Sequence, residues 1–225
     1  MTIPTHTPAK NEFVLSSNSL KEAIEKEWNC HPALVAGSEN KKDRIPQRVR
    51  YDSSKMPLTA LAYTAIDKIS ARKNDVVEAL MVYVDSDALT YRATSSDELA
   101  ELQNQKWGNV LDNLGRRFDV SWQITSGVMP LDQSPLVHKA IRRYLESLDE
   151  WHIAAFCVIS SLCSSIALAI AVCEKQISAA EAFDLSRLEE NFQAEKWGRD
   201  EEAEHRAGKM EDEIIAAGHF LSLLG

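Results

Sequence analysis

Carboxylates are the side chains this sequence concentrates. Between Ser178 and Glu213, twelve acidic residues stand against five basic ones, a local net charge of −7 within a chain total of −9. Two chemistries fit that density. A pair of carboxylates held in a closed cleft with pKa values pushed apart can act as general acid and general base. One reading is therefore a carboxylate-dependent soluble hydrolase of unknown substrate. The same side chains on an open helix face are solvated, or they steer a basic partner into contact. Trp197 sits among Glu195, Lys196, Arg199, Asp200, Glu201 and Glu202. A large aromatic ring in an acidic field suits a protein-binding surface, and it equally suits the core anchor of a helix.

Other reactive residue types lead to blander readings. Asp85 and Asp87 are close enough to share a cation, but Asp85-Ser86-Asp87 after an apolar helix reads better as the turn that closes it. Cys157, Cys163 and Cys173 lie six and ten residues apart, which matches no zinc-binding pattern. A straight helix would hold them too far apart for disulfides, so these and Cys30 read as free thiols. The chain has no P-loop, no dinucleotide-binding glycine pattern, no nucleophile elbow and no His-Glu-x-x-His, and its six histidines are scattered. No cofactor is implied.

The elements that must position these residues are helices. With eight glycines and seven prolines in 225 residues, the chain is too poor in turns for an all-β fold. Its acidity argues against binding nucleic acid or an anionic membrane. The most apolar stretch, Ile153 to Cys173, runs for twenty-one residues without a charge. That length suits a bilayer span, or a helix surrounded by others. Ser160, Ser161, Ser164 and Ser165 dilute it, and its flanks lack basic clusters and aromatic belts. It is expected to be the buried strut of a soluble helical domain, one helix from about Leu148 to Glu174. The N-terminus lacks the layout of a signal or transit peptide, which points to the cytoplasm.

Along the chain, Ile3–Thr7 and Phe13-Val14-Leu15 read as a short hairpin. Ser19 with Glu22, Ser95 with Glu98, and Ser178 with Glu181 are spaced as capping boxes. They open helices to about Asn29, to about Gln105, and through Ala182, Leu185, Leu188 and Phe192. Further helices cover Met56–Ile69, Val76–Val84, Trp107–Phe118, Ser134–Leu145 and a C-terminal segment with Met210, Ile214, Ile215, Phe220 and Leu221 inward. Gly198 should break or kink the polar helix. Ala88–Ala93 reads as extended or turn, and the alternation of Val120, Trp122 and Ile124 is a weak strand signal. Ala33–Ser54, with Lys41, Lys42, Arg44, Arg48 and Arg50, reads as a mobile loop. The turn-rich connector 127–133 divides an N-terminal domain, 1–130, from a helical C-terminal domain, 131–225.

Five blocks in this order resemble a known family, the assembly chaperones for the alpha subunit of the F-type ATP synthase. They are FVLSSNSLKEAIEKEW at Phe13–Trp28, MPLTALAYTAID at Met56–Asp67, DALTYRA at Asp87–Ala93, YLESLDEWHIAAF at Tyr144–Phe156, and AFDLSRLEENFQAEKWGRDEEAEHR at Ala182–Arg206. The resemblance implies an α+β, mostly α fold: a small N-terminal β-containing domain followed by a larger all-helical one. Family members begin with further strands before the Thr-Pro that Thr7-Pro8 resembles, so the β part is expected to be abbreviated.

The resemblance also implies a non-enzymatic chaperone that holds the unassembled alpha subunit until beta replaces it. No nucleic acid and no membrane insertion are implied, and the chaperone is expected to be a monomer. It would work in the bacterial cytoplasm, or in the mitochondrial matrix for eukaryotic relatives. Family function is linked to acidic residues of the helical domain, which carries over here to Glu181, Glu189, Glu190 and Glu195. Trp197 joins this partner-binding set through its acidic surroundings, with fold anchor as its competing role, as for Trp28. Ile153–Cys173 should then be almost wholly buried, and Ser178–Glu213 exposed along one face.

Overall fold

Short polar side chains start most of the described helices by taking up an early backbone N–H, which would otherwise have no partner. The computed structural model describes residues 3–30, 55–94, 96–127 and 129–225. The charged stretch Ala33–Ser54 and Ser95 lie outside the described residues. In order, the elements are α1 (Asn18–Cys30), α2 (Pro57–Thr64) running into a π-helical turn (Ala65–Ile69), α3 (Lys73–Met81), a 3-10 turn (Ala88–Thr90) and β1 (Tyr91–Arg92). They continue with α4 (Asp97–Phe118), β2 (Thr125–Ser126), α5 (Pro135–Ser147), α6 (Glu150–Leu162), α7 (Ile166–Cys173), α8 (Ala179–Ser186), α9 (Leu188–Trp197) and α10 (Glu201–Leu224). The fold is mostly α with a small β part, as the sequence implies. Among the described residues the sheet is one parallel pair, Tyr91 opposite Thr125 and Arg92 opposite Ser126.

The core forms around α6 and α10, which pack along each other. Helices α2 and α8 also lean on α10, and α7 folds back on α6. Trp151 of α6 stacks on Phe220 of α10, with ring centroids 6.3 Å apart. Ile153, Phe156, Ile159, Ile166, Leu168 and Ile170 are all buried. Each such side chain contributes about 1.5–3 kcal/mol relative to exposure. Gly218 lets α8 come close: a Cβ there would stand 2.5 Å from the Cβ of Ala179.

The twenty-one-residue run is buried as expected, apart from the exposed Ser161 and Ser164 and the half-buried Cys157, Val158, Leu162 and Cys173. It is not one helix, however. Cys163 to Ser165 break it, with Ser164 in the left-handed region at φ 50°. Ser165 then caps α7 by accepting from the Leu168 N–H at 3.0 Å. No helix among the described residues is long and apolar enough to cross a membrane.

The N-terminal hairpin is present in minimal form, as a single antiparallel bridge between His6 and Glu12. One carboxylate of the π turn holds it. Asp67 accepts from the Thr7 hydroxyl, from the Ala9 N–H at 3.1 Å and from Asn11 Nδ2 at 2.8 Å. Phe13 then packs on Tyr63, centroids 5.0 Å apart. Burial and the neighbouring Asp67 push the Tyr63 hydroxyl up to about 12.

Several local expectations are corrected. Ser17, not Ser19, caps α1, accepting from the Leu20 N–H at 3.0 Å. Ser96, not Ser95, caps α4, with Leu99 as the donor. With each start displaced by one or two residues, Glu22 and Glu98 no longer stand where they could reach back to the cap. The helices expected to either side of Lys106 form one continuous α4. The strand signal at Val120–Ile124 is displaced, and pairing occurs at Thr125–Ser126. The long polar helix divides at Arg187. Ile215, expected to face inward, is 43% exposed.

Candidate partner-binding surface

The acidic segment is built by three successive helix starts. At the first, Ser178 Oγ accepts from the Glu181 N–H at 3.1 Å while Glu181 Oε2 accepts from the Ser178 N–H at 2.7 Å, so this capping box is complete. Those bonds to the Ser178 N–H and hydroxyl favour the ionised carboxylate and hold Glu181 below the ordinary glutamate range. At the second, Glu189 and Glu190 occupy the first turn of α9, where the helix dipole favours negative charge. At the third, Asp200 caps α10 by accepting from the Glu202 N–H at 2.9 Å. Gly198, at φ 95°, separates the last two helices, as expected of it.

Helix α9 has no buried residue. Lys196 ties it to α4 by an ion pair with Glu98 and also lies 4.4 Å from the Phe192 ring centroid. The pair holds Glu98 below the ordinary glutamate range. Just before α9, the Trp107 indole N–H donates to the Leu185 carbonyl at 2.8 Å, fastening the end of α8 to α4. Arg199 pairs with Glu204, and Arg206 with Glu202, so these two cations are spent locally and the surface stays acidic.

The five residues singled out from sequence do not form one site. Glu189 and Glu190 are neighbours on the wall of a groove of about 1110 Å³ between α9, β1 and the start of the α6–α7 break. Glu181 lines a different groove, of about 690 Å³, with His152, Ile177 and His219. Glu195 and Trp197 are exposed and line neither. Trp197 is 78% exposed, which overturns its reading as the core anchor of its helix. Trp28 is half-buried against the core, in keeping with its expected anchoring role.

The remaining candidates are structural. Asp87 is 1% exposed and accepts from the Leu89 N–H at 2.9 Å, the Ser165 hydroxyl and the Ala167 N–H at 2.8 Å. Burial raises its pKa, although the bonds from Ala167 and Leu89 oppose that shift. Asp85 accepts from the Gln133 N–H and meets His138 Nε2, both at 2.8 Å. Among the described residues no group of His, Cys, Asp and Glu could hold a metal ion. Cys157, Cys163 and Cys173 are free thiols, pushed up by burial to about 11, 11 and 12.

Sequence reasoning missed Arg92, which lines the larger groove beside Gln103 and Trp107. Its only trace in the sequence is as the one cation of the block Asp87–Ala93.

A sequence profile of the ATP12 chaperone protein family matches residues 3–115. Protein atp12, mitochondrial, of Schizosaccharomyces pombe is 27% identical over 172 residues; the match covers 72% of this chain and 58% of that protein, so the chain spans less than two thirds of its length. The crystal structure of Atp12 from Paracoccus denitrificans superposes with a TM-score of 0.85 at 32% identity, covering 99% of this chain and 89% of that one. A chaperone candidate from Agrobacterium tumefaciens superposes with a TM-score of 0.85 at 29% identity, covering 98% of this chain and 76% of the other.

Proposed function

The chain belongs to the ATP12 chaperone protein family, and from that membership we propose that it is an assembly chaperone of the F-type ATP synthase, holding the unassembled alpha subunit until beta replaces it. The observation that carries the surface assignment is α9, an acidic helix with no buried residue that ends in an exposed tryptophan. A free alpha subunit exposes the apolar surface meant for its beta neighbours, and large exposed patches of that kind aggregate. Reversible capture lowers the concentration of free sticky subunit without using ATP, and the final partner wins by differential affinity. Acidic side chains on α9 raise the encounter rate with basic groups of the client and select the right face.

Solvent exposure of Glu181, Glu189, Glu190 and Glu195 counts against the hydrolase reading, which needs carboxylates in a closed cleft. The proposal accordingly involves no catalysis and no cofactor, a monomer as the working form, and the bacterial cytoplasm as its place, with the mitochondrial matrix for eukaryotic relatives. Co-expression with alpha and beta subunits tests it. Alpha should co-purify with this chain and stay in solution in its presence. Failure of both would overturn the proposal.

A further inference from the structure

From Ile153 onward, helix α6 is buried except along one line. Ile153, Ala155, Phe156 and Ile159 are enclosed, whereas Cys157, Val158 and Leu162 are half-buried and Ser161 is exposed. With Ala154, those last four occupy i, i+3, i+4, i+7 and i+8, one face of the helix. That stripe lines a third groove, of about 470 Å³. Pro57, Ala60, Leu61 and Thr64 of α2 line it with the same i, i+3, i+4, i+7 spacing. Asp212, Glu213 and Ala216 of α10 complete it. The small side chains of Ala60, Ala154, Cys157 and Ala216 leave room between the three helices. Each stripe is about 10–12 Å long, two turns of helix.

The lining also says what charge the occupant carries. Asp212 and Glu213 are exposed. Among the described residues neither makes an ion pair, and Lys209, one turn back on α10, pairs with neither. Earlier on the same helix, Glu202 and Glu204 are matched by Arg206 and Arg199. Two unmatched carboxylates at an apolar groove favour a basic group, and covering the stripes favours apolar side chains. A second copy of this chain, itself at −9, would be repelled by the same carboxylates. Two helix faces of matched length receive a third helix whose apolar residues recur at i, i+3, i+4 and i+7. We propose that this groove binds an amphipathic helical segment of a protein partner. Its apolar stripe lies against α2 and α6, and a lysine or arginine beside that stripe meets Asp212 and Glu213. The proposal rests on the chaperone reading only for the statement that the helix belongs to a client. Exposed charge pairs add little tightness, so the stripe holds the helix and the carboxylates set its direction.

The test uses a peptide and needs no client. The probe is an acetylated, amidated peptide of about four helical turns, with leucine and alanine at the stripe positions, one lysine beside the stripe and glutamine elsewhere. Fluorescein-labelled, it is titrated with the full chain at constant ionic strength and read by anisotropy. The methyl ¹³C–¹H signals of Val158, assigned by their loss in Val158→Ala, locate the site. Saturable binding should move those signals, and a peptide with the stripe scrambled should bind roughly tenfold more weakly or worse. Ser161→Phe, which fills the groove from an exposed position, should weaken binding by a similar factor. Norleucine in place of the lysine, or Asp212→Asn with Glu213→Gln, should each cost about threefold, and the two together no more. No saturable binding, equal binding of the scrambled peptide, unmoved Val158 signals, unchanged binding in Ser161→Phe or full binding of the norleucine peptide would each overturn the proposal. A dimer in sedimentation that Ser161→Phe dissociates would also overturn it, giving the groove to a second copy. Should Ser161→Phe fail to fold, the Asp212 and Glu213 variant alters only exposed side chains and keeps the charge test intact. Loss of alpha-subunit capture in co-expression would refute the chaperone reading without changing any of these curves.

Discussion

The Ser165 hydroxyl lies 2.9 Å from Oδ1 and 3.0 Å from Oδ2 of Asp87, a carboxylate 78 residues away. The link runs both ways, because the Ala88 N–H donates to the Ser164 carbonyl at 3.1 Å. One buried carboxylate therefore fixes the break between α6 and α7 and the turn that leads into β1. Asp87→Ala should remove about 3 kcal/mol of stability, since it strips a buried acceptor from several donors at once. Asp87→Asn, which keeps one acceptor oxygen, should cost less. Urea unfolding measures both, and an Asp87→Ala loss below about 1 kcal/mol would contradict this role.

The same residue shapes the pH response. Asp87 has a raised folded pKa, so its contribution is fullest below the ordinary carboxylate range and is lost as pH rises through the folded value. Glu181 has a lowered one, so its contribution is present above the ordinary glutamate range and is lost as pH falls through the folded value. Asp87→Asn should therefore remove a component of stability that declines with rising pH, and Glu181→Gln one that declines with falling pH. Melting temperatures from pH 3 to 8 for the three proteins would show the two slopes change in opposite senses.

Gly218 and Ala179 set how closely α8 approaches α10. Gly218→Val should destabilise by about 1–3 kcal/mol through overpacking. Gly218→Ala should also be unfavourable, because its new methyl group meets that of Ala179. Ala179→Gly made together with Gly218→Ala should recover part of the loss, and a double-mutant cycle reads that coupling. Strict additivity would mean that the helices are free to move apart.

Glu27 of α1 caps the start of α2. Its carboxylate accepts from the Leu58 N–H at 2.8 Å, the Thr59 N–H at 2.9 Å and the Thr59 hydroxyl at 2.7 Å. Glu27→Ala should cost about 1–3 kcal/mol, and Glu27→Gln less. Chemical denaturation checks the order.

Charge reversal of α9 separates surface from scaffold. Glu189→Lys with Glu190→Lys should weaken alpha-subunit capture roughly tenfold at low salt, because like charges then face the client. With neither residue buried, the melting temperature should fall by no more than a few degrees, the cost of placing positive charge in the first turn of α9. Capture by the unaltered chain should itself weaken with added salt, as the screening length shortens from about 10 Å at 0.1 M to about 3 Å at 1 M. Salt-independent capture would move the client off this face.

Trp197 is the tryptophan to watch during binding, since Trp107 and Trp151 are buried and Trp28 and Trp122 half-buried. Its emission should be water-like and quenched by iodide in the free chain, then shift to the blue when the client covers it. Trp197→Ala should leave the melting temperature unchanged. A drop of several degrees would restore a role in the fold.

Helices were the legible part of this chain, because periodic apolar spacing survives without tertiary information. The core positions Leu58, Leu61, Leu111, Leu114, Ile214 and Phe220 follow from it directly. Caps were legible only to within a residue or two, since Ser17 and Ser19, or Ser95 and Ser96, offer the same chemistry and only packing chooses between them. The break at Ser164 was invisible because its cause, Asp87, lies far away in sequence. The candidate site was legible as composition but not as geometry. Charge counting marked only the segment, and the family resemblance that singled out Glu189 and Glu190 grouped them with Glu181, which lines another groove. Arg92 was hidden for the opposite reason: a single cation in one block leaves no pattern to count.

The interruption at Cys163–Ser165 also decides what this apolar run can be. By length and hydropathy alone, Ile153–Cys173 has the extent of a membrane span. Split as it is, α6 has 13 residues and α7 has 8, about 20 Å and 12 Å of helix against the roughly 30 Å of a hydrocarbon core. Neither piece reaches that length, so the clasp between Asp87 and Ser165 leaves the run as two short packing helices.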